Sequence, residues 1–279
     1  MLLERERRQR IITMEAQRGW RTMNRTRLVS QLHQLGVRPG SLLIVHSSYR
    51  AIRPVEGGPS EVIEALLEAV GHDGTLVMPS MTDWSDDEVF DPNVTPCLGM
   101  GIIADTFWRR PGVLRSDSPH SFAAYGPHAE EITAPHPPDI PHGPDSPVGR
   151  VYDLDGDILL LGVDHRANTT IHLAEFLAGV PYRVPKHCTV LQNGVPVRVD
   201  YGEIDHCCQN FTLVGEWLEK HGLERRGQVG NALCRLVSSR ALVETVVREL
   251  KSDPFRFLCR PGTGCATCDE AWRSVEVVS

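Results

Sequence analysis

No run of apolar residues in this 279-residue sequence approaches the roughly 18 that a bilayer-spanning helix needs. The first ten residues, Met1 to Arg10, are too charged to form the apolar core of a secretory signal. No Gly-x-Ser-x-Gly elbow is present, which argues against a serine hydrolase of the α/β type. No His-Glu-x-x-His pair is present either, which removes the commonest zinc-hydrolase signature. These absences leave a cytoplasmic protein as the expectation. Surplus positive charge is lacking as well, since the formal net charge is −7. Residues 1–28 hold eight Arg and three Glu, so the remainder carries 21 basic and 33 acidic groups. An acidic body argues against nucleic acid as a partner and suits a cationic substrate.

What is there is an ordinary globular composition. Hydrophobic residues make up 41% of the chain, enough for one substantial core. We expect a basic N-terminal extension over 1–24, read as a nascent helix, a disordered arm or a stretch upstream of a start at Met14 or Met23. A single domain over 25–279 follows, ending in a Cys/His-rich region. Helical spacing of Leu28, Val29, Leu32 and Leu35 stops at Gly36, and Ser41 to Val45 reads as a buried strand ending at His46-Ser47-Ser48. Pro59 to Val70 reads as an amphipathic helix, Gly74 to Pro79 as a strand, and Ile102 to Arg110 as a helix. Residues 80–100 and the proline-rich 111–150 read as long loops, which in compact domains are usually functional. Cys188 to Tyr201 predicts a hairpin turning at Asn193-Gly194, and Phe211 to His221 and Ala232 to Lys251 predict helices. Strands alternating with helices make this an α/β sandwich of sheet and helices.

The most informative stretch is Ile158 to Glu175. An apolar run, Ile158 to Val163, reads as a buried strand, and a polar turn leads to Thr169 or Thr170 as the cap of a helix. His172 and Glu175 lie three apart and so share one helical face. An imidazole beside a carboxylate near free backbone N–H groups suits a general base. Taken alone, a structural histidine at a helix N-terminus explains the stretch equally well.

Other clusters add chemistry. Ser47 and Ser48 follow a buried strand, where side chains face a site at the sheet's carboxyl edge or simply cap the next segment. Arg115-Ser116 in a loop suits a phosphate, or an arginine tied to an acidic neighbour. Asp83, Asp86, Asp87, Glu88 and Asp91, then Glu203 and Asp205, make acidic loops that would hold a polyamine-like substrate if they converge. Eight cysteines in such a chain suggest metal before disulfides. Cys265-x-x-Cys268 has zinc-ligand spacing, and Cys188, His206, Cys207 and Cys208 form the pool from which the other ligands of a structural zinc would come, with His187 competing. Cys97, Cys234 and Cys259 fall outside that pattern.

Several blocks in order resemble the aminoglycoside 3-N-acetyltransferases, the antibiotic N-acetyltransferase family. They are Leu43 to Ser48, Gly74 to Pro79, Phe90 to Pro92, Arg115-Ser116, Phe122 to Ala124, Ser146-Pro147, Leu160 to Val163 and Asn168 to Glu175. The resemblance spans roughly residues 25–255, and the tail with His187-Cys188, Asp205 to Cys208 and Gly264 to Cys268 looks most like the type IV subclass, which acts on apramycin and gentamicin-like drugs. One string departs from the family: Ser118 precedes Pro119 where a histidine is usual, and a histidine follows at His120.

The resemblance implies a fold distinct from the common acetyltransferase superfamily, acetyl-CoA as donor, an aminoglycoside as acceptor and no metal in the chemistry. It makes His172 the base for the drug's 3-amino group, oriented by Glu175, with His46 a further catalytic candidate. Ser47 and Ser48 would flank the thioester. Arg115, Ser116, Thr169 and Thr170 would contact the donor, and Asp86, His142, Glu203 and Asp205 the drug. The alternatives are an acetyltransferase of the same fold acting on another amine, a zinc-dependent hydrolase, or a binding module without turnover.

Overall fold

The computed structural model describes residues 21–82 and 88–276. Helix α1, Arg25–Leu35, is capped by Asn24, whose side chain accepts from the Arg27 N–H, and it buries Leu28, Leu32 and Leu35. Next come β1 (Leu42–Ser47), the single turn α2 (Tyr49–Ile52), α3 (Pro59–Val70), β2 (Thr75–Pro79) and β3 (Val89–Phe90). The middle of the chain forms α4 (Ile102–Trp108), β4 (Leu114–Arg115), β5 (Phe122–Tyr125), α5 (Ala129–Ile132), α6 (Pro147–Asp153), β6 (Asp157–Leu161) and α7 (Thr170–Ala178). The last third forms β7 (Val184–Gln192), β8 (Val195–Glu203), α8 (Thr212–Lys220), β9 (Arg225–Val229), β10 (Ala232–Ser238), α9 (Ser239–Ser252) and α10 (Ala266–Glu276).

Seven strands form one sheet in the order β4-β5-β2-β1-β6-β10-β9, and β3-β7-β8 form a second. The three central strands β2, β1 and β6 run parallel, while their outer neighbours pair antiparallel. Burial on both faces explains why β1 and β6 read as largely apolar runs. Leu42, Ile44, Ile158 and Leu160 enter one core, with side chains of α6, α7, α8, α9 and α10. Leu43, Val45, Leu159 and Leu161 enter the other, with α1, α3 and α4.

This layering positions the site. Strand β1 lies between β2 and β6, and Ser47 at its end is in register with Leu161 at the end of β6. The helix that leads from β1 to β2 covers one face, and the helix that follows β6 covers the other. Connections that leave neighbouring parallel strands in opposite directions open a crevice at their carboxyl ends, where ligands of α/β sheets bind. His46, Ser47, Gly162 and Val163 stand at that crevice.

Three expectations need correction. Ala232 to Ser238 is strand β10 rather than the start of a helix. Its Ala232 and Cys234 are buried while Leu233 is exposed, a period of two that the helix reading overlooked, and the Gly230-Asn231 turn joins it to β9. The stretch 111–150 is not one loop, since β4, β5 and α5 lie within it and α6 begins in it. The end of the expected N-terminal extension belongs to the fold: Met23 is 2% exposed and its N–H donates to the Pro54 carbonyl. Residues 1–20, like Asp83, Asp86 and Asp87, lie outside the described residues.

Gly162 ends β6 with a φ of 77°, and a Cβ there would meet that of Ala51 at 2.8 Å. Gly162→Ala therefore forces a left-handed alanine against close neighbours, and should destabilise the fold by about 1–3 kcal/mol. A urea unfolding midpoint equal to that of wild type would contradict this.

Candidate active site

The first turn of α7 brings the predicted pair together. His172 Nδ1 lies 2.8 Å from Glu175 Oε2, with the carboxylate fully buried and the imidazole 17% exposed. Two groups that sequence reasoning did not connect to this pair complete it. Tyr182 donates its hydroxyl to Glu175 Oε1 at 2.6 Å, and His206 Nε2 approaches the same oxygen at 2.9 Å. The Cys208 N–H donates to His206 Nδ1 at 3.1 Å, which leaves Nε2 to present its N–H to the carboxylate.

Burial pushes the Glu175 carboxyl up, but His206 and His172 outweigh it and hold its pKa at about 2. An ionised carboxylate only accepts, so Nδ1 of His172 carries a proton and Nε2 is left to act. Nε2 lies 3.7 Å from the Cys208 sulfur. Burial opposes the imidazolium of His172, yet the Cys208 sulfur and then Glu175 raise its pKa well above the ordinary imidazole value. Phe211 meets the ring edge-on at 5.1 Å, and His142 stacks on it at 5.3 Å.

His172 faces two crevices. One is lined by His46, Ser47, Met81, Thr169, His172 and Phe211, and runs past Val163 and Arg166 into a groove bordered by Ser48, Gly162 and Arg235. The other is lined by Asp139, His142, His172, Phe176, Arg183 and Glu203. Glu203 lies 3.0 Å from His120, whose ring meets His142 edge-on at 5.2 Å. Burial pushes the Glu203 carboxyl up, but His120 and then His172 bring it below its ordinary value, so it is anionic. The histidine displaced to position 120 thus reaches the site. Burial, with His120 and His172 behind it, holds His142 well below the ordinary imidazole range.

Burial, followed by nearby His165, brings His46 down to about 4, so a neutral imidazole lines the first crevice beside Ser47. Thr170 is buried, and Asn168 Oδ1 rather than a threonine hydroxyl accepts a hydrogen bond, from the Thr170 N–H, at the start of α7. Asp139, Arg183 and Arg235 belong to no motif in the sequence, and Arg166 lies in the polar turn of the Ile158 to Glu175 stretch, where spacing alone gives it no role.

Other predicted residues are placed elsewhere. Arg115 commits its guanidinium within the fold. It donates to the Ser121 hydroxyl at 3.0 Å, to the Thr95 carbonyl at 2.5 Å and to the Ser80 carbonyl, and lies over the Phe90 and Trp108 rings. Ser116 is buried and accepts from the Phe122 N–H at 3.1 Å. Both fasten loops, which corrects the expectation that they contact the donor. Asp205 pairs with Lys186 at 2.9 Å.

The cysteines also divide differently from the expected pool. Cys207, Cys259, Cys265 and Cys268 have sulfurs within 4.8 Å of one another. His206 and Cys208 instead turn to the Glu175 and His172 side, and Cys188 is buried in β7. His172, Glu175 and His206 are themselves a set with metal-binding composition. Both oxygens of Glu175 already accept from N–H or O–H donors, an arrangement that suits a proton relay.

Comparisons with known proteins identify the family. The sequence profile described as aminoglycoside 3-N-acetyltransferase matches residues 44–251. Aminoglycoside N(3)-acetyltransferase IV of Salmonella sp is 53% identical over 248 residues, which cover 88% of this chain and 93% of that protein. Solved structures of AAC(3)-IVa, as apoenzyme and as a histidine-to-alanine variant in complex with a gentamicin, each match with a TM-score of 0.88 at 52% identity, covering 91% of this chain and 98% of that one. AAC-IIIb in a binary complex with CoASH matches with a TM-score of 0.77 at 26% identity, over 83% of this chain and 97% of that one. The chain belongs to the aminoglycoside 3-N-acetyltransferase family and is an acyltransferase.

Proposed function

We propose that this chain transfers the acetyl group of acetyl-CoA to the 3-amino group of an aminoglycoside, conferring resistance, with His172 as the general base. The observation that carries the reading is that His172 lines both crevices, so one imidazole meets a donor from one side and an acceptor from the other. The groove beyond Val163 has Arg166 and Arg235 at its border, Arg166 paired with Asp164 at 2.7 Å and Arg235 3.5 Å from Glu224, and the N–H groups they leave over would receive the phosphates of the donor. The opposite crevice offers Asp139 and Glu203, the latter beside His120 and with Arg183 in the same lining, to a polycation. The relatives solved with gentamicin and with apramycin make those two drugs the acceptors of choice. A cytoplasmic setting fits, and among the described residues no helix is long and apolar enough to cross a membrane.

An aminoglycoside amine is largely protonated at neutral pH, so the acidic crevice binds the cation and the reaction uses the neutral fraction. As the amine nitrogen attacks the thioester carbon, Nε2 of His172 takes its proton, and Glu175 steadies the imidazolium. The Ser47 hydroxyl donates to the oxyanion. The carbon–sulfur bond then breaks, and the imidazolium returns its proton to the departing thiolate. Cys208 lies against the base but lines neither crevice, which favours direct transfer over an acetyl-cysteine intermediate. Zinc, in this reading, holds the C-terminal segment in place and takes no part in acyl transfer.

His172→Ala should reduce drug-dependent release of free CoA by about 10²–10⁴-fold. Thiol release from acetyl-CoA with apramycin and gentamicin measures this, and release that survives the substitution would move the base elsewhere. The pH profile checks the role of Glu175. The base must be neutral, so kcat rises with pH through the raised pKa of His172. Replacing the carboxylate by an amide, Glu175→Gln, removes the charge that, after the Cys208 sulfur, raises that pKa, and allows the wrong tautomer. The rising limb should move to lower pH and the plateau should fall, and a limb that stays in place would contradict the assignment.

A further inference from the structure

Cys207, Cys259, Cys265 and Cys268 have no part in the acyl transfer above, yet the fold gathers them from three separate segments. Cys207 follows the β7–β8 hairpin, Cys259 follows α9, and Cys265 and Cys268 stand at the start of α10. The sulfur of Cys207 lies 3.6 Å from those of both Cys259 and Cys268. A disulfide requires about 2.05 Å. Four thiolates around a zinc ion at about 2.3 Å stand about 3.8 Å apart along the edges of the tetrahedron. The separations found here match the second arrangement.

The surroundings fit the same reading. Backbone N–H groups are directed at the sulfurs: that of Gln209 at Cys207, that of Cys268 at Cys265, and those of Cys207 and Cys259 at Cys268. Such donors stabilise thiolate charge. Trp272 on α10 donates to the Cys259 carbonyl at 2.9 Å and stacks on Phe255 at 4.5 Å, bringing the last helix onto the cluster.

We infer that these four cysteines bind one structural zinc ion, and that the ion positions the catalytic pair through Cys207. The preceding residue is His206, which contacts Glu175 at 2.9 Å, and the following one is Cys208, 3.7 Å from His172 Nε2. Cys208 has a φ of 56°, a backbone conformation that residues other than glycine seldom adopt without a restraint. Fixing the sulfur of Cys207 fixes the backbone on both sides of it. The ion is a knot one residue away from the relay, and Cys207 is a positioning residue rather than a catalytic one.

The test is elemental analysis of the full chain purified without chelator under reducing conditions, joined to steady-state kinetics. The expected result is one zinc per chain, lost in Cys259→Ala, and retained in Cys259→His, which leaves a Cys₃His set, and in Cys188→Ala. Cobalt substitution should give the intense sulfur-to-metal absorption of a tetrahedral thiolate site. Absence of stoichiometric metal, or an intact mass showing two disulfides, would overturn the site. For the positioning role, Cys259→Ala or wild type stripped of zinc should lose kcat by about tenfold or more while its KM for acetyl-CoA stays nearly unchanged, and zinc should restore the stripped enzyme. Circular dichroism establishes that the sheet domain of each sample is folded. A folded, metal-free sample with unchanged kcat would overturn the positioning. That half rests on the acetyl-transfer reading, whereas metal content is measured equally well on protein that turns nothing over, so the two failures are distinguishable.

Discussion

The buried carboxylate of Glu175 is the constraint on which the rest of the site depends. Taking an ionised carboxylate out of water costs several kcal/mol unless its oxygens are fully partnered. Here Oε2 meets His172, and Oε1 meets both Tyr182 and His206. These groups come from α7, from the segment leading to β7 and from the segment after β8. The carboxylate is satisfied only when all three have docked, so assembly of the site and completion of the fold are the same event. Its charge fixes the protons around it: both imidazoles present N–H to it, and the one that faces the crevices is left with Nε2, beside the Cys208 sulfur, to exchange a proton.

The parallel centre of the main sheet decides where this relay is delivered. Because β1 and β6 end side by side and their following helices leave on opposite faces, the crevice between them opens where α7 begins. His172, in the first turn of that helix, is reached from two directions that differ in charge. Asp139 and Glu203 mark one, and Arg166 and Arg235 border the far end of the other. A polycationic acceptor and a phosphate-bearing donor can each approach its own side without competing for the same surface.

Central elements were legible in the sequence because burial on both faces leaves an unmistakable trace. The runs in β1 and β6 are largely apolar, and His172 and Glu175 show their shared face by spacing alone. Peripheral elements leave weaker traces. Strand β10 has apolar residues that also fit a helical spacing, so it merged with α9, although the Gly230-Asn231 turn was available as a signal. The partners of Glu175 were hidden for another reason. Tyr182 and His206 are 7 and 31 residues away, and nothing in a linear pattern ties them to a carboxylate. Cys259 falls outside the Cys-x-x-Cys pattern, whereas Cys208 and His206 adjoin Cys207 in sequence and so enter the same pool. In space the backbone at Cys207 divides them, one sulfur toward the cluster and its neighbours toward the relay. Arg115 illustrates the opposite error: an arginine in a promising motif is consumed by carbonyls of the surrounding loops.

The central claim is that Glu175 holds His172 with its proton on Nδ1 and its lone pair on Nε2. Nitrogen NMR of the enzyme carrying isotope-labelled histidine, recorded above the pKa of His172 and assigned with His172→Ala, reads that tautomer directly. The expected spectrum shows a protonated Nδ1 and an unprotonated Nε2 for this residue. A proton on Nε2, or an equal mixture of tautomers, would contradict it.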